Sequence, residues 1–469
     1  MAVACKEQDN IHLVERNSGV ELKYDQFFNQ LFKREFSRLE KQGHTYLDYT
    51  GGGLYGESQL QKHFELLNQQ TLGNPHSTNP TSQYATTLVE DTRQAIIEYF
   101  SAYDYHCIFT QNASSAIKII GECYPFDNTS QLLLLSDNHN SVNGLRSYCG
   151  SRGGKYRYAD LQADLTIDAP QLSAQLSLPR PANHRLFAFP AQSNVSGVKH
   201  NLDWIPLAQR EGWEVLLDAA AFVPTSLLDL SIIQPDFVSL SFYKMFGYPT
   251  GVGCLLVKKS KFDKLIKPWF AGGTVRLASV RTNRHFLADG HERFENGTVD
   301  YLSIPAVKVG LDFINEIGME RINHRITSLS EYLYHGLQKI RHTTGEPVVQ
   351  VYGPEDRKNV GGTCTMNFYD ILGKRYHFQF IEDQANQQKI SLRSGCFCNP
   401  GIDEAQHSIS PSELENHFTS RKTRSYREVS EQLGHTRGAV RVSVGVATRK
   451  KDLDCFLEFV RSFQNKTPY

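Results

Sequence analysis

Short apolar runs between Tyr46 and Val257 alternate with helical stretches, and this alternation is the strongest constraint on the fold. Apolar runs of this length are typical of strands that are covered on both faces. Crossover helices between such strands indicate a mainly parallel sheet, and therefore an α/β fold with a large sheet domain. The runs are Cys107–Phe109, Leu132–Leu135, Leu186–Phe189, Val215–Leu217, Phe237–Leu240 and Val252–Val257, and the helical stretches include Leu88–Phe100, Ser114–Cys123 and Asp203–Arg210.

The pattern changes after Leu302. A long helical stretch, Pro305–Ile340, is followed by the strand-like segments Val348–Tyr352 and Thr363–Phe368, with further helical stretches between and after them. A mixture of this kind predicts a second, smaller α+β domain.

Two further segments complete the predicted organisation. Apolar residues recur at three-to-four spacing over Leu22–Leu39, which predicts an amphipathic helix ahead of the sheet. The segment Asp403–Arg437 is long, polar and only weakly periodic, so we expect a mobile insertion there. We expect an N-terminal helical segment at 1–45 that packs on the small domain, a large cofactor domain at 46–303 and a small domain at 304–469.

Composition narrows the classes of partner. Lys plus Arg and Asp plus Glu both number 50, so the chain has no basic surface for nucleic acid or anionic membranes, and small polar ligands are expected. Met1–Asn10 lacks the apolar stretch of a signal peptide, and no run approaches the length of a membrane span. The nine cysteines are scattered and odd in number, which argues against a disulfide framework. We expect a cytoplasmic protein with reduced cysteines.

Two of the predicted buried strands end in ionisable residues. Val215–Leu217 runs into Asp218, and Phe237–Leu240 runs into Ser241 and Lys244. Because an α/β sheet binds its ligand at the carboxyl ends of its strands, the carboxylate and the amine should face one crevice. A structural ion pair between the two is the alternative at this point.

The segment Thr110–Ser115 follows another predicted strand and opens a helix. Small and hydroxyl-bearing residues at a helix N-terminus can cradle an anion with free N–H groups and the helix dipole, although an ordinary helix cap has the same composition. Together with Ser241, it supplies phosphate ligands near Lys244. A phosphate site, a lysine and a buried carboxylate suit pyridoxal 5'-phosphate (PLP), which the amine binds covalently while the carboxylate keeps the pyridine nitrogen protonated.

These residues lie in a series of motifs that extends over roughly Tyr46–Phe463. The series consists of Tyr46–Tyr49, Leu217–Ala221, Ser239–Gly247, Arg293–Thr298, Arg393–Pro400 and Gly438–Gly445. In these motifs and their order the chain resembles the class V aminotransferase family of PLP enzymes, in particular its cysteine desulfurase branch and the PLP domain of molybdenum cofactor sulfurases. The resemblance implies the type I fold of PLP-dependent transferases.

The resemblance also implies roles for single residues. Lys244 would bind the cofactor covalently and act in catalysis, Asp218 would pair with the pyridine nitrogen, and Asn194 would contact the phenolic oxygen and the substrate. His139 would stack on the ring and help to move protons. Phosphate contacts would come from Ala113, Ser114, Ser241 and Tyr243.

Gly273 and Thr274 match a turn that reaches the phosphate of a neighbouring subunit in the family, which implies a homodimer with shared sites. Two positions depart from many desulfurases, which have His where this chain has Tyr243 and Gln where it has Ala221. Both residues resemble those of the sulfurase branch, so they favour that branch and do not argue against the family.

The loop Arg393–Cys398 carries the remaining chemistry. By resemblance Arg393 would hold the substrate carboxylate, and Cys398 would be the nucleophile that accepts sulfur as a thiolate. Cys396 stands where other desulfurases have His, and it could share a persulfide, form a disulfide or have no role. A zinc pair is the rival interpretation, but no second cysteine pair or histidine cluster completes four ligands, so no metal is expected.

The implied reaction converts L-cysteine to L-alanine and leaves a persulfide on Cys398. Other reactions on the same fold, such as C–S or selenocysteine lysis, epimerisation or transamination, need Lys244 and Asp218 but not Cys398. A non-catalytic binding protein is a further alternative. The sequence does not identify the sulfur acceptor.

Overall fold

The computed structural model describes residues 24–178, 182–267, 272–407 and 438–467, together with Ser412 and Glu415. A seven-stranded sheet forms the centre of this part of the chain. After the short strand β1 (Thr45–Tyr46), its strands are β2 (Tyr105–Thr110), β3 (Gln131–Leu135), β4 (Lys155–Ala159), β5 (Arg185–Pro190), β6 (Glu214–Asp218), β7 (Phe237–Ser241) and β8 (Gly253–Lys258). Their order across the sheet is β2-β8-β7-β6-β5-β3-β4.

The sheet is mainly parallel, as predicted. Strands β4, β3, β5, β6 and β7 pair in parallel, whereas β8 runs antiparallel between β7 and β2. Each predicted apolar run overlaps one strand of the sheet. The edge strand β4 was not predicted, because its sequence Lys-Tyr-Arg-Tyr-Ala is polar and its first two residues are exposed.

Both faces of the sheet are buried, which explains the apolar runs. In β3, Leu133 and Leu135 belong to one apolar cluster, whereas Leu132 and Leu134 belong to another. All five residues of β3 are buried. Since successive side chains of a strand point to opposite faces, this division shows that helices cover the sheet on both sides.

The helices surround the sheet and build much of the second domain. They are α1 (Asp25–Glu35), α2 (Ser37–Gln42), α3 (Glu57–Gln69), α4 (Pro80–Tyr99), α5 (Ala113–Cys123), α6 (Asn140–Asn143), α7 (Leu145–Ser151), α8 (Ala169–Ser177), α9 (Trp204–Arg210), α10 (Phe242–Phe246), α11 (Lys259–Phe262), α12 (Ile304–Ile317), α13 (Met319–Gln338), α14 (Phe378–Gln387), α15 (Pro400–His407) and α16 (Lys450–Arg461).

A second, smaller sheet follows the long helices. Its strands β11 (Val349–Val351), β12 (Thr363–Phe368), β15 (Ala439–Ser443) and β14 (Arg393–Gly395) are antiparallel neighbours in this order. The remaining strands are the hairpin pair β9 (Val275–Ala278) and β10 (His285–Leu287), and β13 (Ile390–Ser391), which pairs with β1. The predicted α+β character of this region is confirmed.

Two predicted helices are each divided in the structure. The stretch Pro305–Ile340 forms α12 and α13 because Gly318 between them has φ +89°, a backbone conformation that suits glycine and ends a helix. The stretch Leu22–Leu39 forms α1 and α2, which meet at Phe36 with a non-helical φ of −131°. Phe36 is fully buried and packs edge-on against Phe313 of α12. Tertiary packing therefore overrides the continuous helical period at this point.

The N-terminal helices contact the long helices of the second domain. Asp25 pairs with the fully buried Arg325 of α13 at 2.8 Å, and the Arg449 guanidinium lies 3.5 Å from the centre of the Phe32 ring. Residues 1–23 lie outside the described residues. The exact division at 45/46 and 303/304 stays a prediction.

The predicted polar insertion begins inside α15, where Asp403 is buried and accepts a hydrogen bond from the Gly438 N–H at 2.8 Å. The rest of that prediction, 408–437, lies outside the described residues apart from Ser412 and Glu415. Among the helices that the structure describes, none is long and apolar enough to cross a membrane.

Candidate active site

A cavity of about 180 Å³ opens at the carboxyl ends of the central strands, where the sequence predicted a ligand crevice. Its wall contains most of the predicted site residues. They are Ala113, Ser114, His139, Asn194, Asp218, Ser241, Tyr243 and Lys244, accompanied by Asn112, Ile117, Ser141, Pro190, Gln192, Ala220 and Ala221.

The strand register explains why these segments meet. Gly253 of the antiparallel strand β8 pairs with Thr110 on one side and with Ser241 on the other. A Cβ atom on Gly253 would lie 2.5 Å from the Leu240 carbonyl oxygen and 2.7 Å from the Asn112 Cα, so only glycine fits. This close approach brings the N-terminus of α5 beside the end of β7.

Asp218 is the last residue of β6 and is buried. Its Oδ1 accepts hydrogen bonds from the Ala220 N–H and the Ser239 hydroxyl, each at 3.1 Å. These two bonds fix the direction of the carboxylate. Asp218 can therefore present a carboxylate oxygen to a ligand in the cavity.

Lys244 lies in the short helix α10, directly after β7, and reaches the cavity from deep within the protein. Burial lowers its pKa, the nearby positive charges of Arg441 and Arg393 lower it further, and Asp218 acts in the opposite direction. A lowered pKa increases the fraction of lysine in the neutral amine form, which is the form that attacks a carbonyl carbon.

Hydroxyl groups and a helix N-terminus form a cradle at one side of the cavity. The Ser241 Oγ accepts a hydrogen bond from the Ala113 N–H at 2.8 Å, and the Ser114 and Ser141 hydroxyls are 2.5 Å apart. Asn112 caps α5 by accepting from the Ser115 N–H at 3.0 Å. The serine hydroxyls, the N–H groups at the start of α5 and the dipole of that helix suit a phosphate group. Ser141 was not predicted, although it stands two residues after His139.

His139 caps helix α6, and its Nδ1 accepts a hydrogen bond from the Ser141 N–H at 3.1 Å. An accepting Nδ1 carries no proton, so this contact selects the neutral ring. Burial, opposed in part by Asp218, lowers the pKa of His139 below its ordinary value. At neutral pH the side chain therefore offers an uncharged aromatic face to the cavity.

Asn194 connects the cavity to the cysteine loop. Its Nδ2 donates to the Phe397 carbonyl at 2.8 Å, and its Oδ1 accepts from the Asn399 Nδ2 at 3.0 Å. Asn399 is fully buried and donates a second bond to the Asp137 carbonyl at 2.6 Å. A side chain of the cavity wall thus holds the loop directly.

The backbone of the cysteine loop is strained. Phe397 and Cys398 have φ values of +54° and +55°, in the left-handed region that non-glycine residues rarely adopt. The Cys398 carbonyl accepts a hydrogen bond from the Asn140 N–H at 2.7 Å. Cys398 is exposed, whereas Cys396 is half-buried and burial raises the pKa of its thiol. The two cysteines therefore lie in different environments.

Arg393, the predicted substrate ligand, contacts an internal carboxylate. Its Nη2 lies 2.6 Å from the Asp48 Oδ2, and its Nε lies 3.1 Å from the same oxygen. A second arginine, Arg441 of β15, shares this partner through an Nη2 to Oδ1 distance of 3.1 Å. Arg441 also donates to the Asn194 carbonyl at 2.8 Å, which places it behind the cavity wall.

Arg441 and Asp48 were not predicted as site residues. Burial lowers the pKa of Arg441 to about 10, and its Nε is buried without a hydrogen-bond partner among the described residues. One sequence signal could have identified it, because β15 reads Ala-Val-Arg-Val-Ser and all five of its residues are buried. A charged residue inside such a strand requires a functional or structural partner.

Gly273 and Thr274 are not brought into this cavity. Thr274 is buried, and its hydroxyl oxygen lies 3.1 Å from the Lys267 amine. The two residues immediately precede the hairpin β9–β10, which exposes Leu277 and Phe286. Their predicted contact with a neighbouring subunit stays a prediction.

The profile of the aminotransferase class V family matches residues 45–456, which is most of the chain. The chain belongs to the class V aminotransferase family. Curated molybdenum cofactor sulfurases are similar to this chain in sequence. The chain is 35% identical over 454 residues to molybdenum cofactor sulfurase 3 from Aedes aegypti, covering 91% of this chain and 57% of that protein. It is 34% identical to the human molybdenum cofactor sulfurase, covering 92% of this chain and 51% of the relative. The chain thus spans little more than half the length of these curated relatives.

Solved structures have the same fold as this class V protein. A cysteine desulfurase from Thermococcus onnurineus NA1 superimposes with a TM-score of 0.76 at 21% identity, covering 92% of this chain and 97% of that one. The cysteine desulfurase CsdA from Escherichia coli gives a TM-score of 0.71 at 18% identity, covering 93% and 98%. These likenesses confirm the predicted type I fold.

PLP is the cofactor of the class V aminotransferase family to which the chain belongs. The donor set of the cavity fits it. The Ser114, Ser141 and Ser241 hydroxyls and the N-terminus of α5 suit the phosphate, and Lys244 suits the covalent link. Asp218 suits the pyridine nitrogen, because its carboxylate is buried in the cavity wall and two hydrogen bonds fix its direction. The residues present therefore agree with the cofactor of the family.

Proposed function

We propose that this chain is a PLP-dependent cysteine desulfurase, similar to the molybdenum cofactor sulfurases, that converts L-cysteine to L-alanine and takes up the sulfur on Cys398. The observation that carries this proposal is the bonding of the cysteine loop to the cavity wall. Asn194 of the wall donates to Phe397, and Asn140, which lies between the wall residues His139 and Ser141, donates to Cys398. The backbone on either side of the exposed Cys398 is thereby held beside the site that contains Lys244.

PLP, when bound, supplies a covalent attachment for the amino acid and an electron sink next to its Cα. The chain's own residues perform the remaining work. Lys244 removes the Cα proton, since its lowered pKa keeps a larger share of the amine neutral. Asp218 would accept a hydrogen bond from the protonated pyridine nitrogen. The neutral side chain of His139 would cover the face of the cofactor ring.

The substrate carboxylate would bind at the arginine pair. Arg393 has the planar fork that suits a carboxylate, and Arg441 adds a buried positive charge beside Asn194. Together the two guanidinium groups would orient the amino acid by its carboxylate.

Cys398 would act as the sulfur acceptor. Its thiolate attacks the substrate sulfur, the substrate Cβ–S bond breaks, and the electron pair of that bond remains with the carbon skeleton, which is then protonated. The balanced change is L-cysteine plus Cys398 thiol to L-alanine plus Cys398 persulfide. A separate sulfur acceptor then receives the terminal sulfur and regenerates the thiol.

Alanine formation from L-cysteine tests the activity. We expect Cys398→Ser to retain the cofactor yet lose most alanine production, and the matched control Cys396→Ser to be milder. Alanine production at the normal rate in Cys398→Ser would favour a lyase or transaminase type of reaction, which needs Lys244 and Asp218 but not Cys398. A protein without the visible absorbance of bound PLP would be a non-catalytic member of the fold.

We also propose a homodimer. The support is the resemblance of Gly273 and Thr274 to a turn that reaches a neighbouring phosphate, and the exposed apolar side chains Leu277 and Phe286 on the hairpin that follows. Light scattering in dilute solution tests it, and a stable monomer loaded with PLP would contradict it. A cytoplasmic location agrees with the cysteines in the described part of the chain, which form no disulfide bonds with one another.

A further inference from the structure

A buried histidine and a buried aspartate form a pair close to the candidate active site. The His200 Nε2 lies 2.9 Å from the Asp137 Oδ2, and the two side chains are 1% and 0% exposed. Because a carboxylate oxygen accepts, the His200 Nε2–H donates this bond. The centre of the His200 ring lies 5.6 Å from that of the Trp204 ring. The histidine is therefore held by a hydrogen bond and by packing.

The Asp137 carboxylate depends on the His200 donor. Its other oxygen, Oδ1, is buried and has no hydrogen-bond partner among the described residues. A buried carboxylate without a donor is strongly unfavourable, so loss of the donor would make the side chain move or take up a proton. The place of Asp137 in the fold is therefore set by His200.

The segment that begins at Asp137 has contacts with both parts of the site. The Asp137 carbonyl accepts a hydrogen bond from the buried Asn399 at 2.6 Å, and the Asn140 N–H donates to the Cys398 carbonyl at 2.7 Å. Between these two contacts, His139 lines the cavity. The segment therefore connects the cavity wall to the cysteine loop.

Close packing connects the start of this segment to the loop as well. A Cβ atom on Gly401 would lie 1.7 Å from the Ser136 carbonyl oxygen, so the backbone of α15 contacts the residue before Asp137 directly. Helix α15 begins at Pro400, directly after the cysteine loop. Since a packed interior transmits small displacements, a shift of Asp137 would also displace the loop.

We propose that His200 is a positioning residue that holds the segment 137–141 in place through Asp137 and thereby sets the rate at which Cys398 takes up sulfur. The inference rests on the proposed function, because sulfur uptake on Cys398 is part of that function. His200 acts through another residue, since neither member of the pair lines the cavity.

Two substitutions of His200 separate the hydrogen bond from the ring. His200→Phe keeps a ring against Trp204 and removes the donor, whereas His200→Gln keeps a donor at the place of Nε2 and removes the ring. Rapid quenching of the PLP-loaded protein after mixing with L-cysteine measures sulfur uptake, and visible absorbance measures bound PLP. We expect uptake to slow by about tenfold in His200→Phe and to stay within about twofold in His200→Gln, with equal bound PLP in both.

A second buried histidine provides the control for a general loss of stability. His342 is 4% exposed, and its Nε2 lies 3.1 Å from the Tyr369 carbonyl oxygen in the small domain. His342→Phe removes a buried polar contact of the same kind in a different part of the fold. We expect it to lower the melting temperature and to leave sulfur uptake unchanged. Equal slowing of uptake in His342→Phe and His200→Phe would overturn the inference.

The hold on the loop can also be measured without L-cysteine. Iodoacetamide alkylates exposed thiols, and Cys398 is exposed. We expect alkylation of Cys398 in the PLP-loaded protein to be about threefold faster in His200→Phe than in the unmodified protein, because the loop opens more often. His200→Gln should react at the unmodified rate. If His200→Phe does not fold, His200→Asn replaces it in both measurements, since its shorter amide does not reach Asp137.

Normal sulfur uptake in the folded His200→Phe protein overturns the inference. Equal slowing in His200→Phe and His200→Gln overturns it as well, because the ring and not the hydrogen bond would then matter. If the unmodified protein takes up no sulfur from L-cysteine, the proposed function fails instead. Alkylation of Cys398 then still decides whether His200 holds the loop, and equal rates in His200→Phe and the unmodified protein would show that it does not.

Discussion

The Lys244 pocket and the cysteine loop lie side by side but are built in different ways. Asp218 is the last residue of β6, and Lys244 follows the adjacent strand β7. The two strands pair in parallel, with Asp218 opposite Ser239. The cysteine loop has a left-handed backbone at two non-glycine residues and is held by Asn194 and Asn399 from distant parts of the chain. The sheet fixes the first site, whereas a few side-chain hydrogen bonds fix the second. A site of the second kind can be released by small changes.

The largest expected effect concerns the pocket. Lys244→Ala should remove the covalent link to PLP and lower alanine formation by about 10³-fold or more, because the variant lacks both the attachment point and the base. Borohydride reduction followed by mass spectrometry locates the attached cofactor. The control Lys199→Ala removes another lysine whose pKa burial lowers, and it should leave the attachment intact. Cofactor fixed to any other lysine in the unmodified protein would refute the assignment.

A change in the loop anchor should have a smaller and different effect. Asn399→Ala leaves the Asp137 carbonyl and the Asn194 Oδ1 without their donor, which should cost about 1–3 kcal/mol of stability. We expect persulfide formation to slow by about tenfold, while the absorbance of bound PLP stays normal.

Chemical denaturation and rapid quenching after mixing with L-cysteine measure the two effects. The exposed Asn386→Ala serves as the control. Equal losses of cofactor and of sulfur transfer in Asn399→Ala would show that the pocket and the loop are one structural unit.

The smallest effect concerns His139, which belongs to the pocket. Its folded-state pKa is lowered from 6.5 by burial, so below that pH the unfolded chain binds a proton that the folded protein does not. The contribution of the neutral His139 to the free energy of unfolding is fully present above about pH 6.5. It should fall as the pH decreases, by up to about 1.4 kcal/mol per pH unit for one group.

Urea denaturation at several pH values should therefore show a shallower decrease in His139→Gln than in the unmodified protein. His106 and His184 also have lowered pKa values, but both proteins contain them, so the difference isolates His139. Identical slopes would mean that the ring is protonated in the folded protein.

The sequence predicts the pocket better than its surroundings, for physical reasons. Strands buried on both faces are visible as apolar runs, and chemistry at their ends follows from the geometry of α/β sheets. The antiparallel direction of β8 leaves no trace in its apolar sequence. The division of a predicted helix at Gly318 depends on one left-handed residue.

The arginine site was predicted only in part. Arg393 was identified through its motif. Asp48 contacts it from a segment 345 residues earlier in the sequence, and Arg441 lies in the neighbouring strand β15. No local pattern encodes such a meeting. The resemblance to a family supplied the roles of Cys398 and Asn194, and the hydrogen bond from Asn194 to Phe397 is visible only in three dimensions.

The proposed transfer of sulfur to Cys398 can be observed on the protein itself. The PLP-loaded protein is incubated with L-cysteine, its thiols are alkylated without reductant, and the peptide that carries both cysteines is analysed by mass spectrometry. We predict one added sulfur atom in the unmodified protein and in Cys396→Ser, and none in Cys398→Ser. Added sulfur in Cys398→Ser, together with undiminished alanine formation, would contradict the account.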